Sequence, residues 1–405
     1  MYISRSSEDL VRKMISMFKV VLVTGPRQVG KMTLLKHVLG EEYSYVTLDD
    51  INDLEVAKTD AKLFFMNHPG KLVIDEVQNA PELLMEIKRL VDAKDDLGTI
   101  VLTGSQSFSL MANVSESLAG RVGILELNGL SLREIVGEDF HLPFIPDNIY
   151  MNSMRKKTEP SDLWQIIHRG SMPELHRNTD LDWQLFYASY VKTYIERDVR
   201  MIINVNDLSV FSRFITALAA RTGQILNYNS IANEIGVKSA TVKSWISILE
   251  ASGIIVTIQA FSNNHLSRVI KTPRIYFMDT GLVSYLLRWL TPETLMNGAM
   301  SGPIFETYAV SELIKSFNNA GVSRVPIYFY RDKDMKEIDL IIENAGTLYP
   351  VEIKKSASPR KEMARHLAIL ERAVGYKIGK KIILSLVDQK RYLADDIIAY
   401  PISEI

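Results

Sequence analysis

The stretch VTGPRQVGKMT, from Val23 to Thr33, constrains the fold more than any other part of this chain. It begins inside an apolar run, VVLVTG (Val20 to Gly25), and leads into a helix-forming run, GKMTLLKHVL. Glycine, four residues, then Gly-Lys is the spacing of a phosphate-binding bend. Two glycines let the main chain between them turn its N–H groups inward, and the helix that follows adds the positive end of its dipole. Gly25, Pro26, Arg27, Gln28, Val29 and Gly30 are therefore the candidate cradle, with the Lys31 ammonium reaching the β- and γ-phosphates of ATP. Position 32 departs from the pattern. A Ser or Thr hydroxyl there ligates Mg²⁺, whereas the Met32 thioether does not. Thr33 is a poor substitute, because one step along a helix turns a side chain about 100° away. A glycine-rich turn with no ligand is the alternative.

Further short apolar runs alternate with helical stretches: YSYVTLDD (Tyr43 to Asp50), KLVIDE (Lys71 to Glu76), TIVLTGS (Thr99 to Ser105) and VGILELN (Val122 to Asn128). Continuous apolar strands between helices predict an α/β fold with a parallel sheet covered on both faces. KLVIDE ends in two carboxylates. Asp75 is a candidate Mg²⁺ ligand through water, and Glu76 a candidate for orienting the attacking water. Thr103 and Ser105, at the end of TIVLTGS, either sense the γ-phosphate or cap the strand end. Arg121, just before the last run, reads as an arginine finger completing the site of a neighbouring subunit or as a solvated charge.

With 405 residues, 47% hydrophobic and 23% charged, the chain has the make-up of two or three globular domains. Its net charge is −1, so any nucleic-acid contact has to come from a local basic patch. The absence of cysteine excludes disulfides, zinc–thiolate sites and cysteine nucleophiles. No apolar run reaches the roughly 18 residues of a membrane span, and the first residues lack a signal peptide's apolar core, so a cytoplasmic protein with no membrane partner is expected. Patterning divides the chain into a nucleotide-binding domain over 1–140, a helical lid or linker over 141–204, a winged helix-turn-helix over 205–298, and a small α/β domain over 299–405.

In the third block, LNYNSIANEIGVKSATVKSWISILEASGII gives a helix, a turn containing Gly236 and a second helix that Ser239 is placed to cap. Ile231, Ile235, Val242, Ile246 and Leu249 fall at core spacing. The second helix offers Lys238, Thr241, Lys243 and Ser244 to DNA. That face is only mildly basic, so a packing role stands beside a DNA-reading one.

In the fourth block, EIDLIIENAGTLYPVEIKK folds back about NAGT (Asn344 to Thr347). If Glu343 faces Leu348, then Asp339 faces Glu352 across an antiparallel hairpin. Glu352 and Lys354 lie two apart and share a face. Facing like charges are unfavourable unless a cation joins them. Mg²⁺ held by Asp339 and Glu352, with Lys354 near the attacking water and Glu306 as a third carboxylate, would suit phosphodiester hydrolysis. A solvated hairpin face is the alternative. Downstream, the run RKEMARHLAILERAV reads as a helix, and basic residues from Lys355 to Lys381 either track phosphates or solvate a surface.

Together these motifs resemble a known family. TGPRQVGKMTLLK, LDD (Leu48 to Asp50), VIDEVQNAPEL and LTGSQSFSL followed by SESLAGRV are similar to AAA+-type ATPases of bacteria and archaea, whose C-terminal half is catalogued as domain of unknown function 4143. YIERDVR (Tyr194 to Arg200), KTPRIYFMDTGL and GPIFETYAVSEL extend the resemblance over nearly the whole chain. It implies an AAA+-like core, a winged-helix segment and a C-terminal domain similar to the PD-(D/E)xK nucleases. The family usually has Thr at the position of Met32, and a second Gly in the stretch that here reads RGSMPE (Arg169 to Glu174).

The resulting expectation is an AAA+-like protein that binds ATP and ADP with Mg²⁺. It would be an ATPase slowed by Met32, acting on DNA through its later segments, with Mg²⁺-dependent DNA cleavage as a further activity. Rival readings are a non-cleaving nucleotide switch that binds a protein partner, and an ATP-driven branch-migration motor built as a homo-oligomer.

Overall fold

The computed structural model describes residues 2–105, 108–153, 160–195, 208–262, 272–372 and 375–405. Positions 106–107, 196–200, 271 and 373–374 of the stretches quoted above lie outside the described residues. The apolar runs of the first block form β1 (Val20–Gly25), β2 (Ser44–Thr47), β3 (Leu72–Asp75), β4 (Ile100–Ser105) and β5 (Val122–Glu126). They make one parallel sheet in the order β2-β3-β4-β1-β5. Val20 of β1 pairs with Ile100 on one side and Val122 on the other, and all six residues of β1 are buried.

Successive residues of a strand point to opposite faces, so a strand covered on both has to be apolar throughout. Val20, Leu22, Ile74 and Leu102 pack on one face with side chains from α3 (Ile51–Thr59), α4 (Ala61–Asn67), α5 (Leu83–Asp92) and α6 (Phe108–Leu118). Val21, Val23, Val73 and Val101 pack on the other with α1 (Glu8–Ile15) and α2 (Lys31–Leu39).

A short helix, α7 (Leu132–Val136), fastens this layer to the rest. Ser131 and Glu134 form a reciprocal capping box at its start. Glu134 also takes the buried Arg5 guanidinium at 2.9 Å and the Ser6 N–H. On its other side, the Leu132 N–H donates to Glu312 at 2.7 Å, and Lys315 donates to the Leu130 carbonyl and to Glu312. Glu312 and Lys315 belong to the long helix Ser301–Asn319.

Between lie α8 (Asn148–Met151), α9 (Pro160–Arg169), α10 (Pro173–Arg177) and α11 (Trp183–Tyr190). They are followed by helices Leu208–Ala219, Tyr228–Ile235 and Ser239–Ala251 and an antiparallel pair, β6 (Ile255–Ile258) and β7 (Arg274–Phe277). Ile231, Ile235, Val242, Ile246 and Leu249 are all buried. Ser239 does not cap its helix: it is already the first helical residue, and Lys238 holds the cap position without a side-chain hydrogen bond.

The last part is a seven-stranded mixed sheet: β8 (Ile327–Arg331), β9 (Glu337–Asn344), β10 (Thr347–Lys354), β11 (Lys377–Ile378), β12 (Lys381–Ser385), β13 (Arg391–Ala394) and β14 (Ile397–Pro401). The expected helix over RKEMARHLAILERAV is replaced by two 3₁₀ turns, Lys361–Ala364 and Leu367–Arg372. Ala364, Leu367 and Leu370 are buried at a spacing of three, the period of that tighter helix, so packing selects it.

Arg5 and Glu134 are each less than 5% exposed at the side chain, so neither charge has water to fall back on. Glu134→Ala is expected to lower stability by about 3–5 kcal/mol through the stranded guanidinium, read as a shift of the urea midpoint. A shift worth less than about 1 kcal/mol would contradict a structural role for the pair.

Candidate functional site

The phosphate bend leaves β1 at Gly25, whose φ is +148°. An added Cβ there would lie 2.0 Å from the Leu127 carbonyl oxygen, so only glycine fits. Gly30 caps α2 at φ +88°, in the left-handed region glycine tolerates. Between them Gln28, with φ +62°, is a strained non-glycine residue. The loop is braced from behind: Arg5 donates to the Val29 carbonyl at 2.8 Å and to the Asn128 carbonyl at 2.7 Å. Pro26 packs beside Ser171, Met172 and Asp279 at a small internal gap, and the Arg27 guanidinium lies over the Tyr194 ring at 5.5 Å.

Lys31 is only 7% exposed and donates its ammonium to the Gly25 and Pro26 carbonyls at 3.1 and 3.0 Å. Burial lowers its pKa, while the nearby Glu76 and Asp75 carboxylates oppose that shift. Register explains why these acids are close. β3 and β4 pair through Ile74 and Leu102, and β4 and β1 pair through Thr103 and Val23. The carboxyl ends of three neighbouring strands thus bring Asp75, Thr103 and the bend together. The Thr103 hydroxyl donates to Asp75, and the Gln78 amide donates to Glu76. Glu76 sits at φ +56°, a second strained non-glycine backbone beside the same loop.

Met32 is half-buried and packs against the cluster that holds Val23, Leu34 and Leu35. Thr33 instead lines a cavity of ≈690 Å³ next to the bend, together with Tyr2, Arg5, Gln28, Pro173 and Phe186. Arg121 is elsewhere. It precedes Val122, the partner of Val20, at the opposite end of the strands from Gly25. There it makes a two-point ion pair with Asp92, at 2.6 and 2.8 Å.

The second set of candidates meets at the β9–β10 hairpin. Asn344 pairs with Thr347, Glu343 with Leu348 and Leu340 with Val351. Ala345 and Gly346 turn the chain at φ +47° and +76°, as a tight hairpin requires. Asp339 accepts the Ile353 N–H at 2.9 Å. Lys354 lies 2.6 Å from Glu352 and 3.8 Å from Asp339.

Glu306 reaches the cluster from the helix Ser301–Asn319 and accepts the Tyr276 hydroxyl at 2.7 Å. Arg274 enters from β7 and lies 2.6 Å from Glu337, 3.5 Å from Glu306 and 3.8 Å from Asp339. Among the described residues, no three acidic or histidine side chains converge to hold a metal ion. The sequence reading missed Arg274, Tyr276 and Glu337. Arg274 and Tyr276 lie over 60 residues from Asp339, and nothing local in KTPRIYF marks an inward arginine.

Burial, and then the charge of Asp339, push both Glu306 and Glu352 up to about 7. A carboxyl whose folded pKa lies above its unfolded value stabilises the fold only while protonated. The contribution of Glu352 is intact below its ordinary 4.5 and is lost as pH rises through about 7. Glu352→Gln, neutral at every pH, is therefore expected to melt higher than the unmodified chain at about pH 8, with the gap closing towards about pH 5. A gap independent of pH would contradict this.

Comparison with known proteins adds sequence-level relationships. Residues 17–136 match the family model described as AAA domain. Residues 160–293 and 301–405 match models described as domain of unknown function, DUF8612 and DUF4143. An uncharacterized protein of Mycobacterium tuberculosis, Rv2008c, is 26% identical over 402 residues, covering 99% of this chain and 84% of that one. An uncharacterized protein of Methanocaldococcus jannaschii, MJ1637, is 20% identical over 319 residues, 71% of this chain and 66% of that one. Among solved structures, the Walker-type ATPase paby2304 of Pyrococcus abyssi aligns at TM-score 0.45 and 14% identity, over 70% of this chain and 96% of that one. A likeness that loose carries neither fold nor function. No helix among the described residues is long and apolar enough to cross a membrane. The AAA domain match takes in Gly25, Gly30, Lys31, Asp75 and Thr103, and it supports an ATP-binding, ATPase-like function for the parallel sheet and its loops.

Proposed function

We propose that the chain binds ATP across the bend from Gly25 to Lys31, hydrolyses it slowly, and uses the nucleotide state to act on DNA. The observation that carries the first part is Lys31. Its buried ammonium is held by two carbonyls at the mouth of a bend where no Cβ fits, facing two carboxylates. Phosphate oxygens are stronger acceptors than carbonyls for an ammonium, so a triphosphate would draw Lys31 off Gly25 and Pro26. The adjoining cavity of ≈690 Å³, with Tyr2, Pro173 and Phe186 in its wall, has the size and apolar character for a nucleoside.

Asp75, aimed by Thr103, is the residue that would hold Mg²⁺, and no hydroxyl at position 32 completes the donor set. Bound Mg²⁺ would lend Lewis acidity to the phosphoryl oxygens. Glu76 has one oxygen tied to Gln78, which leaves the other to accept a proton from an attacking water. Met32 lies in apolar packing, so the pocket is built to bind more readily than to turn over.

The DNA part rests on two features. Helices Tyr228–Ile235 and Ser239–Ala251, joined at Gly236 and followed by the β6–β7 pair, have the layout of a winged helix, with Lys243 and Ser244 exposed on the second helix. The Asp339–Glu352 hairpin, with Lys354 beside it, is a candidate cation site of the kind that cleaves phosphodiesters. A nucleotide switch acting on a protein partner is the second reading, and the packing of Met32 favours it.

Calorimetry with ATP and ADP tests the binding step, and Lys31→Ala is expected to weaken affinity about tenfold or more. No measurable heat for the unmodified chain, with or without Mg²⁺, would end the reading. Met32→Thr is expected to raise saturated turnover about tenfold or more in a phosphate-release assay. Unchanged turnover would show that the missing hydroxyl is not what limits hydrolysis.

A further inference from the structure

We propose that Glu174 reads the sugar of the nucleotide, its carboxylate accepting from both ribose hydroxyls while Arg177 holds it in place. The inference rests on the nucleotide reading given above and names the group that tells a ribonucleotide from one lacking those hydroxyls.

The cavity beside the bend has two kinds of wall. Ile3, Val29, Leu130, Pro173 and Phe186 give it an apolar surface suited to a base. Most of its polar side chains are committed elsewhere. Arg5 is spent on Val29, Asn128 and Glu134, and the Tyr2 hydroxyl donates to Glu8 at 3.0 Å. Gln28 and Thr33 belong to the bend and the first turn of α2, which is the phosphate side. Glu174 and Arg177, both on α10, remain for the nucleoside.

These two make a two-point ion pair, with Arg177 Nε and Nη2 donating to the two Glu174 oxygens at 2.9 and 2.7 Å. A carboxylate oxygen that takes one guanidinium N–H keeps a second lone pair. Two such oxygens side by side match a vicinal diol, and a carboxylate is an established acceptor for ribose hydroxyls. An adenine base offers one amino group instead, so the sugar is the better match. Both side chains are about half-exposed, a wet rim where the polar part of a nucleoside belongs. Arg177 also offsets the charge of Glu174, which would otherwise repel the phosphates nearby.

The segment under Glu174 is fixed in place. In RGSMPE, Gly170 sits at φ +85°, where an added Cβ would lie 2.3 Å from the Tyr187 hydroxyl. Ser171 donates its N–H and its hydroxyl to Asp279, each at 2.7 Å, and its carbonyl accepts the Leu130 N–H at 2.7 Å. Met172 and Leu175 are buried, Pro173 opens α10, and Arg169 donates to the Leu175 carbonyl at 2.8 Å. Glu174 is thereby held in register with Leu130, another part of the same wall. A solvated ion pair three residues apart on a helix requires no such anchoring.

Calorimetric titration of the full-length chain with ADP, 2′,3′-dideoxy-ADP and GDP tests this, with Glu174→Ala, Glu174→Gln, Arg177→Met and Arg177→Lys beside the unmodified chain. The unmodified chain is expected to bind ADP about tenfold or more tighter than dideoxy-ADP. In Glu174→Ala that ratio should fall to near one. Glu174→Gln keeps one acceptor and should give an intermediate ratio, which carries the test should Glu174→Ala fail to fold. Arg177→Met should lower the ratio severalfold, and Arg177→Lys should restore part of it. Equal affinity for ADP and dideoxy-ADP in the unmodified chain, or an unchanged ratio in both Glu174 variants, overturns the sugar contact and leaves nucleotide binding standing. Loss of a preference for ADP over GDP in Glu174→Ala, with the sugar preference kept, assigns the carboxylate to the base and overturns it too. No measurable heat with any of the three nucleotides overturns the nucleotide reading itself.

Discussion

Arg5 is the contact on which the arrangement of this protein most depends. A single guanidinium ties the back of the phosphate bend, the end of β5 and the first turn of α7 to one another, through Val29, Asn128 and Glu134. From α7 the chain of buried polar contacts continues to Glu312 and Lys315 on the long helix, which also carries Glu306. Burying two ion pairs is costly, and apolar side chains of like volume would often be as stable. What the pairs add is registration. A hydrocarbon contact tolerates sliding, whereas these donors and acceptors have one satisfied arrangement, so the bend and the long helix are held in fixed relation.

The nucleotide face was largely legible in the sequence because its parts are local. The bend is eleven contiguous residues from Val23, and KLVIDE and TIVLTGS carry their polar ends at the strand termini where a parallel sheet presents them. The hairpin register was legible for the same reason: a two-residue turn sets the pairs beside it, and Leu348 does face Glu343, with the ladder running as far as Leu340 and Val351. Ser239 and the run after Lys361 were misread because cap position and helix type are decided by packing at the one-residue level. Propensity does not resolve that.

The polar contacts that join distant segments were not legible at all. Arg5 meets Glu134 across 129 positions, and Arg274 meets Glu337 across 63. No periodicity encodes such pairs, since either member alone reads as an ordinary surface charge. Lys381 is a further case: within a basic stretch that reads as solvated, it is buried and shared between Glu371 and Asp396. Charge patterning along a chain therefore overstates how many of these cations are available to a polyanion.

The cavity beside the bend has walls from four separate parts of the chain: the first residues, the bend with the start of α2, Leu130 just before α7, and the α10–α11 region. A molecule seated there would act as mortar between these parts, adding to the buried polar contacts that already join them. Its binding energy would be felt as cohesion of the whole, rising with the logarithm of its free concentration. Cellular nucleotide level would then set how firmly the first segment stays docked, whatever the speed of the chemistry.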